Sequence, residues 1–205
     1  MFDDDQLAPA LAAATNGDED GFAVLWRALQ PAVLRYLWVV SGEAAEDIAS
    51  ETWLQAARDL HRFKGDPAAF RGWLFRIARN RAIDDRRRTS RRPAQPVESV
   101  DVPVNKTRDT ASEVLERSGT AWALDLIAAL PRDQAEAVML RVVAGLDVVD
   151  AAQVLGKRPG AVRVATMRGL RKLAAMPQVQ ARNAVPDRLP NMIAHPPGHP
   201  RTGKV

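Results

Sequence analysis

Arginine carries most of the chemistry in this 205-residue sequence. One set, Arg71, Arg76, Arg79, Arg81 and Arg86 to Arg88, shares a stretch with Phe70, Trp73, Leu74 and Ile77, and Asn80 lies among them. Guanidinium groups pair with phosphates and aromatic faces stack on splayed bases, so the mixture suits single-stranded nucleic acid. The apolar residues also read as core, and for Phe70 and Trp73 core is the preferred reading. A second set, Arg163, Val164, Met167, Arg168 and Arg171, lies between Lys157 and Lys172, a stretch without an acidic residue. Such a helix fits the major groove of duplex DNA, where a bidentate arginine contributes about 1–3 kcal/mol of discrimination at a guanine. A third set has the opposite sign: Glu43, Glu46, Asp47, Ser50, Glu51 and Asp59. An acidic face would repel DNA and suits a basic protein surface.

Other chemistries find little support. Cysteine is absent, and the three histidines are His61, His195 and His199, so neither a thiolate metal site nor a histidine cluster is expected. The adjacent carboxylates Glu46-Asp47 and Asp84-Asp85 would diverge by about 100° on a helix and could not chelate together. No nucleophile, base and orienting group stand in register. A non-catalytic protein without metal or cofactor is expected. The net charge is only +4, but the pI near 9.9 and the clustered arginines point to a polyanionic partner. No long uncharged apolar run suggests membrane insertion, and the start Met1-Phe2-Asp3-Asp4-Asp5 is acidic where a secretory signal is basic. A cytoplasmic protein is expected.

The elements that must position these sets are helical. Period-3.6 patterning predicts helices near 18–29, 31–40, 43–61 and 67–88, with a short one at 4–14, broken at Pro31, Ser41-Gly42 and Gly65-Asp66-Pro67. Thr89 to Thr110 holds prolines at 93, 96 and 103 and no apolar period, which predicts an extended linker. Helical pattern returns near 111–129, 132–144, 147–155 and 159–175, and the proline- and histidine-rich sequence after Met176 predicts disorder. The expected fold is all-α, two small helical domains joined by a flexible linker. The divisions are an N-terminal extension 1–17, a first domain 18–90, a linker 91–112, a second domain 113–176 and a tail 177–205.

The second domain reads as helix-turn-helix. Asp147 to Leu155 is a short amphipathic segment closed by Gly156, a residue suited to a left-handed cap, and Pro159 can open the next helix. In that next helix Val162, Thr166, Gly169 and Leu173 share one face. By themselves these residues leave open a stand-alone duplex-binding regulator, which would leave Trp73 to Arg88 without a task.

Taken in order, the pieces resemble the extracytoplasmic-function sigma factors of bacterial RNA polymerase, over roughly residues 18–176. AEDIASETWLQAARDL (45–60) looks like the family's polymerase-binding helix, and FRGWLFRIARNRAIDDRRR (70–88) like its promoter-melting and minus-ten-reading segment. Residues 124–173 look like its minus-thirty-five-reading domain. The resemblance implies a specificity subunit that binds core RNA polymerase and directs promoter-specific initiation. The first domain would be sigma region 2 and the second sigma region 4. Asp47, Ser50 and Glu51 would contact the clamp helices of the β′ subunit. Arg76, Arg79, Asn80 and Arg87, with the loop from His61 to Ala69, would hold the melted minus-ten strand. Arg163, Val164, Met167, Arg168 and Arg171 would read the minus-thirty-five duplex. The apolar helices from Leu126 to Val143 would dock on the β flap, and the family adds an anti-sigma factor as a candidate partner. The sequence departs from the family pattern at Ser50, where glutamine is common, and at Arg158, where a capping Ser or Thr is common. Thr166 and Gly169 replace leucine and alanine, which predicts a loosely packed recognition helix.

Overall fold

The computed structural model describes residues 4–91 and 113–184. The elements are α1 (Asp4–Thr15), α2 (Glu19–Ser41), α3 (Ala45–Asp59), α4 (Pro67–Arg91), α5 (Glu113–Ala128), α6 (Arg132–Val138), α7 (Val148–Leu155), α8 (Pro159–Ala174) and α9 (Pro177–Ala184). No strand occurs among the described residues. The fold is all-α, with two helical units. Most of the expected linker lies outside the described residues.

Asp18 caps α2, its side chain accepting from the Gly21 N–H at 2.5 Å. The helix then runs through Pro31, where the sequence predicts a break. An interior proline costs about 3 kcal/mol. Leu25, Leu29, Val33, Tyr36 and Leu37 continue one stripe across it and are all fully buried. Each such side chain contributes about 1.5–3 kcal/mol, so the stripe outweighs the missing hydrogen bond. Pro31 itself is exposed on the opposite side.

Helix α1, the short helix expected within the N-terminal extension, packs into the first unit. Leu7, Leu11 and Ala14 are buried, and the helix packs on α2 and α4. The two axes approach so closely that a Cβ at Gly21 would stand 2.8 Å from the Ala10 carbonyl oxygen and 2.9 Å from the Ala14 nitrogen. Only glycine fits there. Helices α3 and α4 complete the first unit, with Tyr36 edge-on to Phe75 and Phe22 edge-on to Trp53.

In the second unit, Asp147 caps α7 by accepting from Val149 and Asp150 N–H at 2.6 and 2.8 Å. Gly156 ends it at φ +63°, the left-handed conformation expected of the tight turn. Pro159 opens α8, and Arg158 makes no side-chain cap bond. Beyond α6 the helix widens into a turn, Met139–Val143, in which Ala144 N–H donates to the Met139 carbonyl at 2.8 Å.

Two further expectations need correction. Helix α8 is not loosely packed: Gly169 is buried, and a Cβ there would meet Val138 Cγ2 at 2.8 Å, so the small residue brings α8 hard against α6. Thr166 turns its hydroxyl back to the Val162 carbonyl at 2.9 Å. Residues 177–184, expected to be disordered, form α9, which returns toward α5 and sets the Arg182 guanidinium 4.8 Å from the centre of the Trp122 ring. The remainder of the tail lies outside the described residues.

The two units pack together. Helix α2 meets α5 and α6, and α4 meets α7. One continuous apolar core therefore runs from Leu25 and Tyr36 through to Met139 and Leu140.

The α1–α2 contact yields the first expected outcome. Gly21→Ala should destabilise the fold by about 1–3 kcal/mol through overpacking against backbone atoms, despite the better helix propensity of alanine. Urea titration followed by far-UV circular dichroism measures it, and an unchanged midpoint would contradict the contact.

Candidate nucleic-acid interface

Three outward faces carry the sequence-predicted residues. On α3, Asp47 and Ser50 are exposed, and the Ser50 hydroxyl donates to the Glu46 carbonyl at 3.0 Å. Glu51 is different. Its Oε2 lies 3.5 Å from Arg81 Nη1 and 3.7 Å from Arg88 Nη2. Gln55 adds to the same cluster by accepting from Arg81 Nε at 3.1 Å and Nη2 at 2.8 Å. Glu51 and Gln55 thus hold α4 arginines against α3. Leu54, one turn beyond Ser50, is 63% exposed. The sequence reading passed over it, although an apolar residue four positions after Ser50 and seven after Asp47 lies on the outward face of a helix.

The second face belongs to α4. Arg76, Asn80 and Arg87 are exposed. A groove of about 470 Å³ runs past Trp73, Arg76, Asn80, Arg81 and Gln55. Phe70 is buried and Trp73 is half-buried, and both pack on Phe63 with ring centres 5.5 and 5.3 Å away. They are therefore largely core, and they fix the position of the loop that follows α3. Arg79, grouped with Arg76 and Asn80 by sequence, is not with them in space. Its Nε donates to Glu136 Oε2 of α6 at 2.9 Å.

Glu136 is a charge in an otherwise apolar run, and its side chain is only 4% exposed. Its other oxygen accepts from Arg132 Nε at 2.7 Å. Burying a carboxylate is tolerable only with such partners. The neighbouring Tyr36 phenol is pushed far above its ordinary pKa, first by burial and then by the Glu136 charge, while Arg79 and Arg132 pull the other way. Its hydroxyl has no protein hydrogen-bond partner among the described residues. The sequence assigned Leu126 to Val143 as a whole to a protein surface. Met139 and Leu140 are instead fully buried, and Val142 is the large apolar residue of that stretch that is exposed.

The third face is α8. Arg163, Val164, Met167, Arg168 and Arg171 all point outward, with Leu170 beside them at 43% exposure. The helix is held from behind by Val162 and Gly169. A brace between the turn and α6, Lys157 Nζ to Asp133 Oδ2 at 2.6 Å, keeps the Asp133 carboxyl below its usual pKa, chiefly through that hydrogen bond. The face thus offers positive charge with apolar contacts and no acidic neighbour on the same helix, the composition a major groove accepts.

Helix α7 lies against α4. A Cβ at Gly72 would stand 3.7 Å from the Asp150 Cβ. Asp150, Gln153 and Val154 wall a space of about 380 Å³ whose other side is Arg62, Lys64 and Arg76.

Similarity to known proteins follows the same division. The family described as Sigma-70 region 2 matches residues 25–92, and Sigma-70, region 4 matches residues 120–173. The ECF RNA polymerase sigma factor ShbA of Streptomyces griseus is 35% identical over 173 residues, 80% of this chain and 91% of that protein. The ECF RNA polymerase sigma factor BldN of Streptomyces coelicolor is 33% identical over 177 residues, 85% of this chain and 67% of that protein. Among solved structures, the sigma factor RpoE in complex with the anti-sigma factor NepR from Bartonella quintana superposes with a TM-score of 0.56 at 21% identity, covering 75% of this chain and 94% of that one.

The α4–α7 contact predicts a pH signature. Burial raises the Asp150 pKa, Asp147 and Asp66 raise it further, and Arg71 opposes them. A carboxyl raised in the fold contributes stability that is full below its unfolded pKa of about 3.9 and is lost as pH rises through the folded value. The melting temperature of Asp150→Asn minus that of the parent should therefore increase between pH 4 and pH 7. A difference that stays flat with pH would show that Asp150 is not desolvated by α4.

Proposed function

This chain belongs to the extracytoplasmic-function sigma factors of bacterial RNA polymerase, alternative factors that bind the core enzyme and direct promoter-specific initiation, and from that membership we propose how its faces divide the work. Residues 18–90 act as region 2 and residues 113–176 as region 4, with 91–112 as the linker between them. The outer face of α3, Asp47, Ser50 and Leu54, docks on the clamp helices of the β′ subunit. An acidic first turn in line with an exposed leucine suits a basic surface with an apolar spot, and the charge speeds and orients the encounter. Glu51 acts one step back, positioning Arg81 and Arg88.

Arg76, Asn80 and Arg87 hold the melted minus-ten strand along α4, joined by Arg79 once it leaves Glu136. Taking a base out of its stack costs a few kcal/mol, and fixed guanidinium groups beside the groove offset part of it. Arg163, Val164, Met167, Arg168 and Arg171 read the minus-thirty-five duplex, and Val142 lies on the side of region 4 that meets the β flap. The factor contributes no catalysis and takes no cofactor; it acts in the cytoplasm, where the polymerase is. The family-level likeness to a sigma factor solved with an anti-sigma factor supports an anti-sigma factor as a further partner. No helix among the described residues is long and apolar enough to cross a membrane.

The observation that carries this reading is the opposite sign of two outward faces on the two matched regions, acidic on α3 and free of acid on α8. A pair of double variants tests it. Arg163→Ala with Arg168→Ala should reduce promoter-directed transcription by tenfold or more, about the loss of one bidentate base contact, while core polymerase binds within about twofold of the parent. Asp47→Ala with Leu54→Ala should weaken polymerase binding itself by about tenfold. Pull-down of purified core enzyme alongside in vitro transcription separates the two. Equal loss of polymerase binding in both variants would overturn the division.

A further inference from the structure

Helix α4 ends in an arginine run that encloses the helix's only hydroxyl side chains, Thr89 and Ser90. Residues 86–91 hold four arginines and no acid. Both hydroxyl residues are exposed, and Ser90 stands one position before Arg91, the last residue of the helix. The Ser90 Oγ donates to the Arg87 carbonyl at 3.2 Å, so it lies back over the turn that carries Arg86 and Arg87. Those two side chains occupy the positions four and three residues before Ser90, where neighbours on a helix meet. Arg86 spends its Nε on the Ala82 carbonyl at 3.3 Å, which leaves its terminal nitrogens to meet an anion. The Arg87 side chain is 69% exposed and is held loosely by Asp84 at 3.9 Å. Arg88 is engaged by Glu51 at 3.7 Å.

Apart from Thr89 beside it, Ser90 is the only serine or threonine of the chain with arginine at both the second and the third positions before it. Protein kinases select their substrates by such charge patterns, and paired arginines suit an acidic substrate groove. The acceptor must enter that groove in extended form. The last turn of a helix frays, because its carbonyls lack intrahelical partners, and Ser90 is nearer the end than Thr89.

We propose that Ser90 is a phosphoacceptor for an arginine-directed serine/threonine kinase, and that its phosphate switches off the strand-holding end of α4. The proposal rests on the reading of α4 as the melted-strand face. In the transfer the Ser90 Oγ attacks the γ-phosphorus of a nucleoside triphosphate. The Oγ–P bond forms, the bond from that phosphorus to the β-bridging oxygen breaks, and the nucleoside diphosphate leaves. The hydroxyl proton passes to the kinase's catalytic base. The product carries about −1.5 to −2 charge and three acceptor oxygens. Arg86 and Arg87 close on it as charge-assisted pairs, and a guanidinium so engaged is withdrawn from a DNA phosphate. A negative group in the last turn also opposes the helix dipole. The outer faces of α3 and α8, with Asp47, Ser50 and Leu54 on one and Arg163 to Arg171 on the other, take no part in the cluster.

Purified full-length protein treated with magnesium, ATP and a kinase that selects Arg-Arg-X-Ser should gain one phosphate, mapped to Ser90 by mass spectrometry and lost in Ser90→Ala. Affinity for a fluorescein-labelled, mixed-sequence single-stranded oligonucleotide, read by anisotropy, should fall about five- to tenfold on phosphorylation. The slope of log affinity against log salt should become shallower by about 1.4, the value for two lost phosphate contacts on a single strand. A structural disturbance remote from the DNA would leave that slope unchanged. Kinase-treated Ser90→Ala should bind as the untreated parent does. Phosphate found at Thr89 or elsewhere in place of Ser90 overturns the proposal, and so does phosphorylated protein with unchanged affinity and slope. Untreated Arg87→Ala separates the two readings. If it weakens single-strand binding while the phosphate does not, the proposal alone fails; if it too binds as the parent does, the reading of α4 as the strand face fails with it.

Discussion

Helix α2 has to satisfy apolar partners on several sides at once, and the architecture follows from that demand. Its stripe from Leu25 to Leu37 is fully buried, yet no single neighbour covers it. Helices α1, α3 and α4 take part of the surface, and α5 and α6 of the second unit take the rest. Neither unit is large, and small domains bury proportionally less of their surface. Sharing α2 lets both draw on one core. The same need explains why a proline is tolerated in the middle of the helix: the packing on both sides of it is worth more than one backbone hydrogen bond.

A shared core brings a polar problem with it. Where α6 meets α4, the apolar run that feeds the core also contains Glu136, and the charge must be met by guanidinium groups from two directions. A buried ion pair contributes little net stability compared with an apolar replacement, but removing one partner is costly. Such a pair specifies one arrangement of the two units more than it strengthens their association. The Tyr36 hydroxyl beside it is buried without a protein partner among the described residues, at a cost of about 1–3 kcal/mol.

The charged faces follow a different logic. On α3 and α8 the outward residues are set by helical period alone, since their backs are pinned by Ile48, Ala49 and Trp53 in one case and by Val162 and Gly169 in the other. On α4 that simplicity fails. Its arginines lie on several sides of one helix, and each side meets a different neighbour: Gln55 and Glu51 capture Arg81, Glu136 captures Arg79, and Arg76 is left exposed. One run of like residues is thus divided into three roles by the elements packed around it.

How much was legible in advance can be argued from these same residues. The all-α fold, the capped turn at Asp147 and Gly156, and the outward set on α8 depend on local spacing, and periodicity exposes them directly. Leu54 was equally local: its spacing from Asp47 and Ser50 puts it on the outward face. The helix through Pro31, the helical turns after Pro177 and the tight seat of Gly169 could not be read locally, because each is decided by a packing partner remote in the chain. Local rules count the cost of a proline or a glycine where it stands, whereas the compensating burial comes from elsewhere. The sequence by itself determined most of the helices, the sign of each face and the family to which they correspond. Only the tertiary structure decided which arginine is free and which is held, because a guanidinium is committed by the acceptor within reach, and for Arg79 that acceptor lies 57 residues away on another helix.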